Sequence, residues 1–422
     1  MGVAPSIGRV IESFLGSDPP LHLTCWDGSS WGDRDADLRV SLTSPVAVRR
    51  LLWDPNELGL GRAYVAGDLE VEGSIFDLLN LRDQVASHDQ DVALDLRRSE
   101  LLRLAARERL LGRRPPPPPE EARLRGRLHS RRRDQAAISH HYDVGNDFYR
   151  LVLGPTMTYS CALFARADVG LDEAQELKYE HVCRKLGLRA GHRLLDIGCG
   201  WGGRVEEAGL ADRVEIRVQD YRDVDDEPFD AVSSIGMFEH VGMERVRDYF
   251  TQVRRLLRPE GRLLNHAISR TSGEGPLERD SFVARYVFPD GQLHEVGRTI
   301  SALQDLGLEC RDAESLREHY ALTLRHWVRN LEERWDEALA MVGGPRARVW
   351  RLYMAGSALG FEAHRISIHQ VLAVRTASEG TSGIPPIRPA TATTLRRQDL
   401  LDLTDDQVQL GARTASEQPT AT

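Results

Sequence analysis

Two rhythms of apolar and polar positions run along the chain and divide it. Near the N-terminus, "LHLTCWDGSSWG" (21–32) and "ADLRVSLTSP" (36–45) alternate with period two between turn residues, the pattern of short half-buried strands. "SIFDLLNLRDQV" (74–85) and "RRSELLRLAARERLL" (97–111) repeat their apolar positions every three to four residues and predict amphipathic helices. Residues 1–112 therefore form a small N-terminal α+β domain. From Ile138 to about Arg375, apolar strand-like runs alternate with helical patterns, which predicts a largely parallel sheet flanked by helices. Beyond residue 376 the chain turns to Thr, Ser, Pro, Gln and Ala, a composition too poor in apolar groups to fold, so 377–422 is expected to be disordered.

Between the two domains lies "RRPPPPPEEARLRGRLHSRRR" (113–133). The run Pro115–Pro119 cannot continue a helix and favours an extended spacer. Eight arginines against Glu120 and Glu121 give the segment a local charge of +6. Such a run reads either as a solvated linker, here bounded at 113–137, or as a docking patch for anionic phospholipid headgroups.

Composition adds mostly exclusions. Over 422 residues, 41% hydrophobic and 28% charged residues are ordinary for a globular chain with room for two or three domains. A net charge of −9 gives no reason to expect nucleic acid. No signal peptide opens the sequence and no run approaches the ~18 apolar residues of a membrane span. The expected location is cytoplasmic, with any membrane contact made peripherally at the inner face. The five cysteines are scattered without a CxxC pair, so neither a disulfide frame nor a zinc site is indicated. His140 and His141 beside Tyr142 lack further residues at metal-ligand spacing.

The chemistry concentrates at strand ends. "HRLLDIGCGWGG" (192–203) reads as a short strand closing on Asp196, then Gly198, Gly200, Gly202 and Gly203. Glycines there allow a sharp turn and a close backbone approach to a ligand, although a lone GxG also fits an ordinary turn. Three more strands are expected: "VEIRVQDY" ending at Gln219 and Asp220, "PFDAVSSIGMFEHVG" leading to Phe238, Glu239 and His240, and "LRPEGRLLNHAIS" ending at His266. Polar residues thus gather at successive strand C-termini, where open α/β sheets bind ligands.

At these residues the chain resembles the cyclopropane-fatty-acyl-phospholipid synthase family, including actinobacterial relatives that methylate oleoyl chains toward tuberculostearic acid. The motifs are "SHHYDVGNDFY", "MTYSCALF", "LLDIGCGWGG", "QDYRD", "GMFEHVG", "YVFPDG" and "LREHYALTL", with a looser match through "GRAYVAGDLEVEGSIFDLL". The resemblance implies a Rossmann-like fold over 138–376 and methyl transfer from S-adenosylmethionine to a cis double bond in a phospholipid acyl chain. It implies a carbocation whose proton is taken by a bound bicarbonate, giving a cyclopropane, or a methylene group that a separate reductase saturates. It assigns Cys161, Glu239, His266, Tyr320 and the backbone of Ile268 to bicarbonate. Tyr159, Ser160, Asp196, Gly198, Gly200, Gly202 and Phe238 would line the cofactor, with Gln219 and Asp220 at the adenine. Singly, Cys161, His266 and Tyr320 also fit plain packing roles. The N-terminal domain could supply a homodimer contact.

Two departures qualify the resemblance. Eighteen residues separate Gly200 from Gln219, where the family places a helix, a strand and a further helix. Roughly two dozen residues are missing, because a crossover with its following helix needs more chain than this. The sheet should therefore lack one strand-helix unit, together with the strand end that holds the cofactor's ribose. An alternative follows: a catalytically degenerate relative that binds lipid or a partner. The second departure is Ser357 in "MAGSALGF", where the family often has a cysteine.

Overall fold

The computed structural model describes residues 2–385, except 16–17, 87–101, 167, 201–209, 211, 272–279 and scattered positions between 104 and 143. Gly202 and Gly203, the His140–His141 pair and most of the expected tail lie outside the described residues.

The expected strands within 21–32 and 36–45 and the helix within 74–85 form, while the start of the expected helix at 97–111 lies outside the described residues. Strands β1 (His22–Cys25), β2 (Ser30–Gly32), β3 (Arg39–Leu42) and β4 (Leu69–Glu72) make a sheet in the order β2-β1-β3-β4. Helix α1 (Val3–Leu15) precedes it, and α2 (Pro45–Trp53), α3 (Glu57–Val65) and α4 (Ile75–Ala86) complete the unit. The starts of α2 and α3 are set locally. Ser44 accepts from the Val46 N–H and Asn56 from the Gly59 N–H, satisfying donors that the first helical turn leaves free.

The second unit is built on five strands: β5 (Leu194–Ile197), β6 (Phe229–Ile235), β7 (Leu257–Arg270), β8 (Glu309–Ser315) and β9 (Ile366–Val374), in the order β5-β6-β7-β9-β8. The pairs β5–β6 and β6–β7 are parallel, whereas β9 runs antiparallel to both β7 and β8. Helices α5 (Asn146–Leu153), α6 (Leu171–Leu186), α7 (Val246–Leu256), α8 (Phe282–Tyr286), α9 (Val296–Asp305), α10 (Arg317–Glu333), α11 (Trp335–Val342) and α12 (Gly344–Glu362) cover it. Asp172 and Glu173 in the first turn of α6, Arg184 and Lys185 in its last, and left-handed Gly187 beyond give that helix complementary ends.

One expected strand does not form. "VEIRVQDY" has the alternation of a strand, yet 214–219 carries no regular structure, and Val214, Ile216 and Val218 are exposed. A parallel strand beside β5 needs a crossover of a dozen or more residues. Sixteen residues (198–213) follow β5 before this stretch, enough for one short crossover, yet 214–219 pairs with no described strand and β5 is an edge of the described sheet, with Leu194 41% exposed. Gln219 and Asp220 consequently do not end a strand. Asp220 instead caps a single 3-10 turn at Tyr221–Asp223.

The two units share one hydrophobic core, and described residues of the linker touch it at several points. Arg50 donates to the Pro116 carbonyl at 2.8 Å, and the Ala122 N–H to the Arg285 carbonyl at 2.7 Å. Arg62 and Glu121, 7% and 6% exposed, form a two-pronged ion pair at 2.8 and 2.7 Å. Arg351 reaches from α12 to the Tyr64 hydroxyl and the Gly73 carbonyl. On α3, Gly61 meets the Phe282 ring so closely that a Cβ would lie 2.5 Å from it. Among the described residues, no helix is long and apolar enough to cross a membrane.

Candidate active site

Where the two units meet, they enclose a cavity of about 290 Å³. The N-terminal unit contributes Leu60, Tyr64 and Leu78, and α12 contributes Leu352, Tyr353 and Ser357. Of the predicted site residues, Tyr159, Glu239, Ile268 and Tyr320 line it. The wall is dominantly apolar and aromatic, and the exposed Glu57 and Arg365 also border it.

Glu239 is the acid in the depth of this cavity. It sits on a 3-10 turn (Phe238–His240) after β6, so the strand end aims it inward. Its Oε1 accepts the Ile268 N–H at 2.7 Å, while Oε2 is sealed from solvent and unpaired. Burial pushes its carboxyl up from 4.5 to about 7, against the pull of that N–H bond. The residue therefore exchanges a proton near neutrality, as a proton acceptor in a dry pocket must. Tyr159 packs among Tyr149, Trp327 and Trp350, and its hydroxyl lies 3.0 Å from that of Tyr353. Tyr320 lies against Trp327 and Phe361.

Cys161 and His266 do not join them. Cys161 is fully buried, its Sγ donating to the Ala162 and Leu316 carbonyls, and burial pushes its thiol far up. His266 is 1% exposed, with Nδ1 3.4 Å from the Gln370 amide and Nε2 unpaired. Burial and the nearby Lys178 and Lys185 charges lower its pKa to about 3, so it is a neutral imidazole. The five residues expected around bicarbonate are thus split, three on the cavity and two behind its wall. The Ile268 N–H is already given to Glu239.

A second group of predicted residues gathers at the end of β5. Asp196 keeps solvent access although protein surrounds its carboxyl, and Ser233 donates to it at 2.6 Å. Burial raises its pKa, while that hydrogen bond and the Lys178 charge lower it. Gly198 and Gly200 have positive φ, and a Cβ on Gly198 would press on Met237 at 3.1 Å, so the turn needs glycine. Ser160 borders this region, its carbonyl accepting from Gln175 and its hydroxyl from Lys178. Sequence reasoning passed over that lysine.

The adenosine end is less complete. Asp220 is engaged by Arg222, Gln219 is exposed and donates to the Asp223 carbonyl, and Phe238 is 1% exposed among Tyr249, Phe250 and His294. Phe238 thus packs in a core cluster and borders a small pocket with Ile268 and His294. Among the described residues, the glycine turn and Asp196 suit the amino-acid end of S-adenosylmethionine, while Gln219 and Asp220 are engaged with their own segment.

The fold and the glycine turn define an S-adenosylmethionine-dependent methyltransferase. Its likeness to the crystal structure of mycolic acid cyclopropane synthase CmaA1 complexed with SAH and CTAB has a TM-score of 0.51 at 31% identity, over 56% of this chain and 97% of that one. The model of the mycolic acid cyclopropane synthetase family matches residues 129–208 and 203–371, and the chain belongs to that family. The two matches meet in the shortened stretch after the glycine turn. A probable fatty acid methyltransferase of Mycobacterium tuberculosis is 41% identical over 420 residues, covering 91% of this chain and 98% of that protein. Because 91% of 422 residues is about 384, that match includes roughly three dozen positions with no counterpart here. The cyclopropane-fatty-acyl-phospholipid synthase of Escherichia coli K12 is 32% identical over 377 residues, 83% of this chain and 90% of that one. The family comprises S-adenosylmethionine-dependent methyltransferases and cyclopropane synthases acting on fatty acids.

Proposed function

We propose that this chain methylates the cis double bond of an unsaturated acyl chain within a membrane phospholipid. The observation that carries the reading is an apolar cavity with one acid, Glu239, poised near neutrality in its depth. When bound, S-adenosylmethionine supplies an electrophilic methyl group. The alkene's π electrons form the new carbon–carbon bond as the sulfonium–methyl bond breaks, leaving positive charge on the acyl chain. Leu60, Leu78 and Leu352 keep water from quenching that cation, and the Tyr159 and Tyr320 rings offer π faces to it. Glu239, which lines the cavity, then accepts the proton on its carboxylate. Loss from the added methyl closes a cyclopropane directly; if a hydride first shifts to the cationic carbon, loss from that same methyl leaves a methylene group for a separate reductase. The split placement of Cys161 and His266 does not fit a bicarbonate cradle, so the proton step is assigned to Glu239.

The enzyme would work from the inner membrane face, with the exposed Arg113 and Arg123 of the linker toward anionic headgroups. Expression in a host rich in oleoyl phospholipid tests the reading. Fatty acids heavier by one CH₂ group are expected by mass spectrometry, and their absence with folded protein present overturns it.

A further inference from the structure

The end of α2 and the start of the linker build a surface that the acyl chemistry does not use. Trp53 closes α2 with 51% of its surface exposed, and Leu111 is 57% exposed. Exposed apolar side chains are ordinary when scattered, but these two are held side by side. The Trp53 indole N–H donates to the Gly112 carbonyl at 3.2 Å, one residue from Leu111. Arg49, one turn back on α2, donates to the Leu110 carbonyl at 3.1 Å. Arg114 reaches Asp54 at 2.6 Å, and the same carboxylate holds Arg62 of α3 at 2.8 Å. The ring and the leucine are therefore presented on a tethered corner and not on a loose tip.

The charge around them is mainly of one sign. Arg49, Arg113 and Arg114 against Asp54 give a local +2, on a chain whose net charge is −9. Arg113 is exposed and, among the described residues, has no acidic partner. A half-exposed tryptophan suits the boundary of a bilayer, with its ring toward the acyl chains and its N–H end toward the headgroups. Each arginine near that surface adds about a fivefold attraction to anionic lipid. A second copy of the chain fits worse, because a two-fold contact would set these arginines against their own copies. The patch also adjoins the cavity. Residues 54–56 lead directly from Trp53 into α3, whose Glu57, Leu60 and Tyr64 line the cavity wall.

We infer that Trp53 and Leu111, flanked by Arg49, Arg113 and Arg114, form the surface through which the chain docks on an anionic phospholipid bilayer. The inference rests on the proposed phospholipid substrate and names the face that meets it. Docking there brings the α3 wall of the cavity beside the lipid. The apolar pair enters the acyl boundary while the arginines stay at the level of the phosphates.

The test uses the full chain and its Trp53→Phe, Leu111→Ser and Arg113→Gln variants, with vesicles of dioleoyl phosphatidylcholine alone or mixed with dioleoyl phosphatidylglycerol. Wild-type protein is expected to sediment with the mixed vesicles and not with phosphatidylcholine alone. Leu111→Ser should weaken that partition by roughly 5- to 10-fold, because about half of the side chain is left to bury, and Arg113→Gln by about fivefold. Acyl chains brominated near the glycerol should quench wild-type tryptophan fluorescence, and Trp53→Phe should lose most of that quenching. The ratio of product from vesicles to product from detergent-dispersed lipid should fall in step with the partition. The free variants should melt with wild type, since the groups replaced are exposed. Equal vesicle binding by wild type, Leu111→Ser and Arg113→Gln overturns the inference, as does binding indifferent to phosphatidylglycerol or quenching that survives in Trp53→Phe. If the variants instead lose a dimer that forms without lipid, a second copy covers the patch and the inference fails. If wild type docks as expected yet methylates neither vesicle nor dispersed lipid, the docking surface stands and the proposed substrate falls.

Discussion

Replacing Glu239 with glutamine isolates the cost of an ionisable acid in the cavity. Glutamine preserves the shape and keeps an oxygen for the Ile268 N–H, now 2.7 Å from Oε1. What it removes is ionisation. Burial moves the carboxyl from 4.5 to about 7. At about 1.4 kcal/mol per pH unit, this makes the ionised form about 3 kcal/mol less favourable in the folded state. The folded pKa is raised, so the stability tied to this group is fully present below 4.5 and is lost as pH rises to about 7. Glu239→Gln escapes that loss. Its stability relative to wild type should therefore grow between those values and stay flat above them. Urea unfolding at about pH 4.5, 6 and 8 measures the gap, read from midpoints at constant slope. A gap independent of pH would refute the reasoning. The same variant should retain S-adenosylhomocysteine binding and lose lipid product.

Other consequences follow from particular contacts. Arg62→Met leaves the buried Glu121 only Arg285 at 3.8 Å and removes one partner of Asp54, and should cost up to about 3–5 kcal/mol in urea unfolding, whereas replacing Arg62 and Glu121 together with apolar residues recovers most of it; a loss under about 1 kcal/mol in the single variant would show the pair to be solvated. Gly356 lines the cavity with nothing within 4 Å of a built Cβ. Gly356→Leu should therefore stay folded, bind S-adenosylhomocysteine normally and lose acyl product, and unchanged product formation would place the acyl chain elsewhere. His266 should show no protonation by NMR until pH approaches about 3, and titration near 6.5 would contradict its burial. Val218, fully exposed beside the sheet edge, should accept Asp within about 0.5 kcal/mol by thermal unfolding; a larger loss would mean that 214–219 is a paired strand.

Features governed by local pattern were readable in the sequence. Strands β1, β3, β6 and β7 and the turn at Gly198 follow from alternation and from glycine's tolerance of positive φ. The expected strand at "VEIRVQDY" does not form because alternation is local, whereas a strand also needs a neighbouring strand to pair with. Motifs located Cys161 and His266 along the chain but could not say which side of the cavity wall they occupy. Lys178 was invisible for the opposite reason. In "EAQELKYEH" a lysine reads as a solvent-facing helical residue, and only packing against Ser160 buries it. The contribution of Leu60 and Tyr64 to the cavity was equally hidden, since it depends on how two separately patterned units close on each other.

The central claim is methyl transfer into an acyl chain held in that cavity. Purified protein with oleoyl phosphatidylglycerol vesicles and S-adenosylmethionine labelled at its methyl carbon tests it most directly. The account predicts label within the oleoyl chain, as a ring or branch carbon, in proportion to the S-adenosylhomocysteine formed. S-adenosylhomocysteine accumulating with unlabelled acyl chains, or no turnover by protein that binds both ligands, would contradict it.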